Sequence, residues 1–329
     1  MLGAGAWGLS LAALLHSKKH RIIVWEFDQN VCRKLAVERT VPDKLPGYTI
    51  PAEIEFTSDL HSALDQADFV VNAVPTQFIR SYFKLIKEYD FNSKIVVNVS
   101  KGIEAATGLD IRNIFLREFA TITDDNFVNL AGPSFAVEIS LQPSPTTVVA
   151  ASKNLNTANI VRDLFSAAYF RVYSTEDVTG VEVGGSIKNI IAIAAGIVDG
   201  LNFGHNTKAA LLTRGLAEMI RFGLKMGAKR ETFSGLSGIG DMILTCNSSQ
   251  SRNWQVGNRL GQGEKLAAIL KSMTMVAGGV ETCRIVKKLA EEQSVEMPIV
   301  GMVYKVLFED KCPKEAVYEL MNRAYKVED

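Results

Sequence analysis

Along the first half of the chain, short β-branched apolar runs at 22–25, 53–57, 69–73, 95–99, 127–131 and 146–151 alternate with segments of helical period. In the stretch 9–18, Leu11, Leu14 and Leu15 fall on one face, the spacing of a helix that buries one side. Strands separated by helices of this length form βαβ units and a mostly parallel, doubly wound sheet. Beyond about residue 176 the β-rich runs stop. Segments 181–200, 208–226, 256–260, 281–292 and 298–308 then carry helical spacing, punctuated by glycine or proline. The pattern predicts an α/β domain over 1–178 followed by an all-helical domain over 179–329. No internal repeat, low-complexity stretch or disordered linker interrupts it.

The chain opens with Gly3-Ala4-Gly5-Ala6-Trp7-Gly8, a G-x-G-x-x-G that runs straight into the helical stretch 9–18. In such a motif the first glycine allows a tight turn and the second lets the backbone approach a pyrophosphate. The third lets helix and strand pack closely, and the phosphates sit at the helix N-terminus. A hexapeptide of this kind also arises as a plain structural turn. Here it is followed by the strand at 22–25 and the acidic residues Glu26 and Asp28. Asp28 lies 20 residues past Gly8, where a carboxylate accepts from an adenosine ribose. That context predicts a Rossmann-type, dinucleotide-binding sheet. Glu26 and Asp28 favour NAD, whereas Arg33 and Lys34 would accommodate the extra phosphate of NADP. Only Met1 and Leu2 precede the motif, so the first strand is nearly absent. Either the chain starts downstream of a natural start, or the sheet tolerates a stub.

Composition narrows the class. Lysine plus arginine equal aspartate plus glutamate at 36 each, which argues against a nucleic-acid binder. Cys32, Cys246, Cys283 and Cys312 are scattered without a C-x-x-C pair, so reduced thiols in the cytoplasm are expected. No metal-ligand cluster is visible among the four histidines. The longest apolar stretch, 187–198, is broken by Lys188 and Asn189 and is read as too short to span a bilayer.

Lys188 stands in a helical run that is apolar almost all round, Ile187-Lys188-Asn189-Ile190-Ile191-Ala192-Ile193-Ala194. A buried lysine is costly unless it is paired or functional, and burial drives it towards its neutral form, which suits proton transfer. The bland alternative is a snorkelling side chain near the helix start. Lys101 follows the run 95–99 at the edge where doubly wound sheets bind ligands, or is an ordinary strand-end lysine. Asp241 either N-caps a helix or faces the site. Ser251-Arg252-Asn253 is either a solvated loop or a phosphate grip, with the arginine as a bidentate fork.

Five stretches together resemble the signature set of the NAD(P)-dependent sn-glycerol-3-phosphate dehydrogenase family, bacterial type. They are the glycine motif, Val99-Ser100-Lys101-Gly102, Gly132-Pro133-Ser134-Phe135-Ala136, Gly185-Ser186-Ile187-Lys188-Asn189, and Gly238-Ile239-Gly240-Asp241 with Ser251-Arg252-Asn253 downstream. The similarity runs from Gly3 to Pro298. It implies Lys188 as catalytic acid/base. Substrate contacts would come from Lys101, Gly132, Ser134, Asn189, Asp241, Thr245, Ser251, Arg252 and Asn253. Cofactor contacts would come from Gly3, Gly5, Ala6, Trp7, Gly8, Phe27, Arg33, Lys101, Ala136, Arg252, Gly279 and Glu281. Ala6 replaces a serine of some members, Phe27 a cofactor-contacting histidine, and Lys208 an arginine of many bacterial members.

The resemblance implies reversible hydride transfer between NAD(P)H and dihydroxyacetone phosphate, giving glycerol 3-phosphate for phospholipid synthesis, in a cytoplasmic homodimer. Two other readings stand beside it. A β-hydroxyacid-type dehydrogenase of the same two-domain plan would use a histidine base, and no histidine here occupies a suitable helix. A non-catalytic cofactor sensor would not need Lys188, Asp241 and Arg252 together.

Overall fold

The computed structural model describes residues 1–141, 143–273, 277–325 and 327. The chain forms two compact units. The first comprises Met1–Lys101 with Leu109–Glu182, the second Gly102–Gly108 with Val183–Asp329.

In the first unit, strands β1 (Ile23–Trp25), β2 (Thr40–Val41), β3 (Leu45–Thr49), β4 (Glu55–Thr57), β5 (Phe69–Asn72), β6 (Ile95–Asn98), β7 (Phe127–Ala131), β8 (Thr146–Ala151) and β9 (Phe170–Thr175) follow in order. β5 to β9 lie side by side in that sequence, and β1 pairs in parallel with β4. Pairing from β5 to β9 is parallel except between β7 and β8. Leu2 is the link between β1 and β5, bridging Trp25 and Asn72 in parallel. Its N–H donates to the Val71 carbonyl at 2.7 Å, and its carbonyl accepts from Ala73 N–H at 2.9 Å. Trp25 N–H donates to the Met1 carbonyl at 2.8 Å. Gly3 N–H donates to the Trp25 carbonyl at 2.9 Å, so Met1, Leu2 and Gly3 carry the ladder here.

Helix α1 (Ala6–Ser17) follows the glycine turn and buries Leu9, Leu11, Leu14 and Leu15. They pack in one core with Val24, Val71, Val97 and Val128 of the sheet. Helices α2 (Gln29–Glu38) and α3 (Ala136–Ser140) follow β1 and β7. The hairpin β2–β3 and the strand β9 were not among the runs read from the pattern. β3 contains Pro46 and Gly47, which read as punctuation. In β9, the exposed Arg171 and Tyr173 alternate with the buried Phe170 and Val172.

Beyond Val183, the described residues contain helices and no strand. The longest is α4 (Val178–Gly200), followed by α5 (His205–Lys225), α6 (Asp241–Cys246), α7 (Arg252–Gly261), α8 (Gly278–Glu292) and α9 (Pro298–Phe308). At 23 residues, α4 is long and apolar enough to cross a bilayer by length and composition, contrary to the expectation drawn from the stretch 187–198 broken by Lys188 and Asn189. It is nonetheless a core helix, with 94% of its most apolar window buried in the protein. Glycines set its closest packing. A Cβ at Gly257 of α7 would lie 1.9 Å from the Ile193 carbonyl oxygen, and one at Gly196 would lie 2.1 Å from that of Trp254. The backbones of α4 and α7 touch, which only glycine at these positions allows.

Glu218 of α5 is buried and caps α9, accepting from Ile299 N–H at 2.6 Å and Val300 N–H at 3.2 Å. Burial outweighs these bonds and the neighbouring Arg221 and Arg323, raising the carboxyl from 4.5 to about 7. Between those values the folded chain holds more protons than the unfolded one, so stability falls as pH rises through the window. The full swing is worth roughly 3 kcal/mol. Thermal melts of Glu218→Gln should lose this slope between about pH 4.5 and 7. A slope identical to wild type would contradict the assignment.

Candidate active site

Lys188 projects from α4 into the interior of the second unit and is only 5% exposed. Its Nζ donates to Asp241 Oδ1 at 2.6 Å and to Thr245 Oγ1 at 2.7 Å. Asp241 is 1% exposed, so both charges of this pair are removed from water and each compensates the other. Thr245 Oγ1 donates in turn to the Asp241 carbonyl at 2.6 Å. The sequence therefore presents its lone cation of an apolar helix as half of a buried pair, and the snorkelling alternative falls.

Local backbone explains how Asp241 gets there. A π-type turn, Leu236–Gly240, leads into α6. A Cβ on Gly238 would lie 2.2 Å from the Phe233 carbonyl oxygen, and one on Gly184 of α4 would lie 2.3 Å from that of Ser237. Both glycines are needed for the turn to press against α4. Asp241 and Thr245, four residues apart on α6, then share the face towards Lys188. Gly240 is the N-cap of α6 and carries no side-chain cap, so Asp241 is not a capping residue.

The next residue, Asn189, opens a second chain of contacts. Asn189 Nδ2 donates to the Gly185 carbonyl at 3.2 Å, and its Oδ1 accepts from Asn253 Nδ2 at 2.9 Å. Asn253 Oδ1 accepts from Gly279 N–H at 2.9 Å. A Cβ at Gly279 would lie 2.7 Å from that Asn253 oxygen, so the glycine admits the amide. Ser251 is the N-cap of α7: its hydroxyl accepts from Trp254 N–H at 3.2 Å, which places Arg252 and Asn253 in the first turn. Arg252 keeps solvent contact, yet enough protein surrounds its guanidinium for desolvation to lower its pKa. Glu281, in the first turn of α8, lies 3.6 Å from Arg284.

In the first unit, the glycine motif has the geometry its spacing predicts. Gly3 has φ +98°, and a Cβ at Gly8 would lie 2.4 Å from the Gly3 carbonyl oxygen. A Cβ at Gly5 would meet nothing within 4 Å, so the approach to the turn is open. Gly5 is the N-cap of α1, with no side-chain cap and no acidic residue in the first turn. Uncapped N–H groups facing open space fit the diphosphate of a dinucleotide. Trp7 packs half-buried beside the core, while Phe27 is 67% exposed. Asp28, expected near the ribose, also caps α2, its Oδ1 accepting from Asn30 N–H at 2.7 Å and Val31 N–H at 3.1 Å. The spacing of 20 residues serves a cap as well as a ribose contact. Arg33 lies exposed on α2, its Nη2 donating to Gln29 Oε1 at 3.4 Å.

At the carboxyl edge of the sheet, Lys101 Nζ donates to the Gly132 carbonyl at 3.2 Å, and Ser134 Oγ donates to the same oxygen at 3.1 Å. Gly132 has φ +150°, and a Cβ there would lie 2.9 Å from Val148 Cα. Ala136 begins α3, and its carbonyl accepts from Ser10 of α1 at 3.0 Å. Lys44 was not singled out from the sequence. Its Nζ donates to the Ala4 carbonyl at 3.2 Å, beside the glycine turn. The contact joins residues 40 apart, so no local pattern announces it. Among the described residues, no group of three His, Cys, Asp or Glu could hold a metal ion.

Two family models match this chain. The NAD-dependent glycerol-3-phosphate dehydrogenase N-terminus matches residues 1–158, and its C-terminus matches 177–318. A glycerol-3-phosphate dehydrogenase [NAD(P)+] of Geobacillus thermodenitrificans is 46% identical, covering 100% of this chain and 95% of the relative. One of Prosthecochloris aestuarii is 45% identical over 100% and 98%. The crystal structure of glycerol-3-phosphate dehydrogenase from Coxiella burnetii has a TM-score of 0.92 at 33% identity, covering 98% of each chain.

Proposed function

This chain belongs to the NAD-dependent glycerol-3-phosphate dehydrogenase family, and from that premise we propose how its own residues divide the work. The enzyme interconverts dihydroxyacetone phosphate and sn-glycerol 3-phosphate with NAD(P), supplying glycerol 3-phosphate for phospholipid synthesis. When bound, the reduced nicotinamide supplies the hydride that reaches C2 of the ketone. Lys188 delivers the proton to the oxygen on C2, and in the reverse direction its neutral amine removes that proton. Asp241 and Thr245 hold two of the ammonium hydrogens and so fix the direction of Nζ. The observation that carries this reading is the buried Lys188–Asp241–Thr245 cluster.

Arg252, Asn253 and Ser251 hold the substrate phosphate at the positive start of α7, supported there by charge and by the helix end. Lys101, Gly132, Ser134 and Asn189 complete the substrate contacts. The turn from Gly3 to Gly8 takes the diphosphate, with Ala6, Trp7, Phe27, Arg33, Ala136, Gly279 and Glu281 as further cofactor contacts. Four unpaired cysteines, three of them buried, accord with a reducing cytoplasm. We place the enzyme there as a homodimer, which sedimentation and cell fractionation test. NADH oxidation assayed with dihydroxyacetone phosphate and with other phosphorylated and free ketones tests the substrate assignment.

Two expectations concern the cofactor. With Asp28 occupied as a cap and Arg33 exposed, NADH and NADPH should both serve, with efficiencies differing by less than roughly a thousandfold, about 4 kcal/mol. A larger ratio would contradict this. Lys44 already reaches the carbonyl preceding Gly5, so its charge lies within reach of a diphosphate on the turn. Lys44→Met should raise the NADH dissociation constant roughly tenfold, measured by fluorescence titration. A value within twofold of wild type would remove Lys44 from the site.

A further inference from the structure

Three asparagines occupy neighbouring positions on adjacent strands. Asn72 ends β5, Asn98 ends β6 and Asn129 lies in β7, paired as Asn72 with Asn98 and Asn98 with Asn129. All three are buried, Asn72 and Asn98 completely. Asparagine is disfavoured in strands, and a buried amide is costly unless its hydrogen bonds are made. Here they are made with each other. Asn72 Nδ2 donates to Asn98 Oδ1 at 2.9 Å, and Asn98 Nδ2 donates to Asn129 Oδ1 at 2.7 Å. The Tyr82 hydroxyl donates to Asn72 Oδ1 at 3.0 Å.

Asn98 also clasps the main chain beyond its own strand. Its Oδ1 accepts from Ser100 N–H at 3.2 Å, and its Nδ2 donates to the Ser100 carbonyl at 2.9 Å. From there the three loops after β5, β6 and β7 are tied together. Ser100 Oγ donates to the Val74 carbonyl at 2.7 Å, Thr76 Oγ1 to the Lys101 carbonyl at 3.1 Å, and Lys101 Nζ to the Gly132 carbonyl at 3.2 Å. Valine or isoleucine would fill three buried strand positions without any of these polar demands. Amides at all three make sense if the main chain that follows must be held in one conformation.

We infer that the Asn72–Asn98–Asn129 ladder is a positioning device for Lys101, with Asn98 its central residue and Thr76 its second hold. The inference rests on the reading of Lys101 as a substrate contact. Asn98 touches no reactant; it acts through the lysine. A ladder that only fixed strand register would affect the enzyme whether or not Lys101 were present. A positioning ladder has no effect to exert once Lys101 is gone.

The test is a double-mutant cycle on kcat/KM for dihydroxyacetone phosphate, using Asn98→Ser, Thr76→Val and Lys101→Met singly and in pairs. Asn98→Ser is expected to lower kcat/KM roughly tenfold, mainly through a raised KM, and to add less than about twofold in the Lys101→Met background. The dissociation constant of ADP-ribose, which lacks the nicotinamide, should stay within about twofold, whereas a general distortion of the sheet would raise it. If Asn98→Ser does not fold, the isosteric Thr76→Val decides by the same criteria. An equal loss in both backgrounds, or no loss in a folded variant, overturns the positioning role. If Lys101→Met alone is near wild type, the reading of Lys101 as a substrate contact fails, and the positioning role falls with it.

Discussion

Replacing Lys188 by methionine is expected to lower turnover by roughly a hundredfold to ten-thousandfold, the usual worth of general acid–base catalysis. The substitution keeps the length and the apolar stem but removes both charge and transferable proton. It also leaves the Asp241 carboxylate buried without its partner at 2.6 Å, and stranding one member of such a pair commonly costs about 3–5 kcal/mol. Loss of activity in the single variant is therefore to be read beside the double variant Lys188→Met/Asp241→Asn. That protein should regain most of the lost stability, because a neutral amide replaces the carboxylate that lost its lysine, yet remain inactive. NADH affinity should stay near wild type in both, since the nucleotide turn belongs to the first unit. A double variant that melts like wild type and turns over near normally would leave the reaction without its proton donor.

Removing the guanidinium of Arg252 should produce the second large effect. Charge-assisted bonds from a planar fork to phosphate are the strong class of hydrogen bond, and a phosphate remote from C2 can position the carbonyl for transfer. Arg252→Ala should lower kcat/KM for dihydroxyacetone phosphate by roughly a hundredfold to a thousandfold. Arg252→Lys should recover only part of that, because an ammonium cannot form the paired bonds. Free dihydroxyacetone should be a far poorer substrate than its phosphate in the wild type. The gap should shrink in Arg252→Ala, since only the phosphorylated ketone loses a contact. Equal efficiencies for the two ketones in the wild type would contradict phosphate recognition outright.

The legible parts of this protein are those whose chemistry is local. Gly3 and Gly8 announce themselves because each meets a backbone demand within the motif, Gly5 because it leaves the turn open to approach, and Lys188 because a cation interrupts an apolar helix. Asp28 shows the limit of spacing: the same position suits a ribose contact and a helix cap, and the fold uses it as the cap. What stayed hidden depends on tertiary neighbours. Lys44 meets Ala4 across 40 residues, and the asparagine ladder exists only once β5, β6 and β7 are in register. The segment Gly102–Gly108, which follows a strand of the first unit, joins the second unit, where Ile103 is part of the core. No periodicity in seven residues could signal that. The motif reads Ser251 as a phosphate donor but not as the cap of α7; its hydroxyl accepts Trp254 N–H there, a use that leaves its O–H to donate.

Transfer of hydride to C2 of dihydroxyacetone phosphate is the central claim, and isotope tracing tests it most directly. Reduced cofactor carrying deuterium at the transferring position is supplied with dihydroxyacetone phosphate, and the product is examined by mass spectrometry and NMR. The expected product is sn-glycerol 3-phosphate with a single deuterium, bonded to C2, formed in step with cofactor oxidation. Cofactor oxidation without glycerol 3-phosphate, or glycerol 3-phosphate without deuterium at C2, would contradict the account.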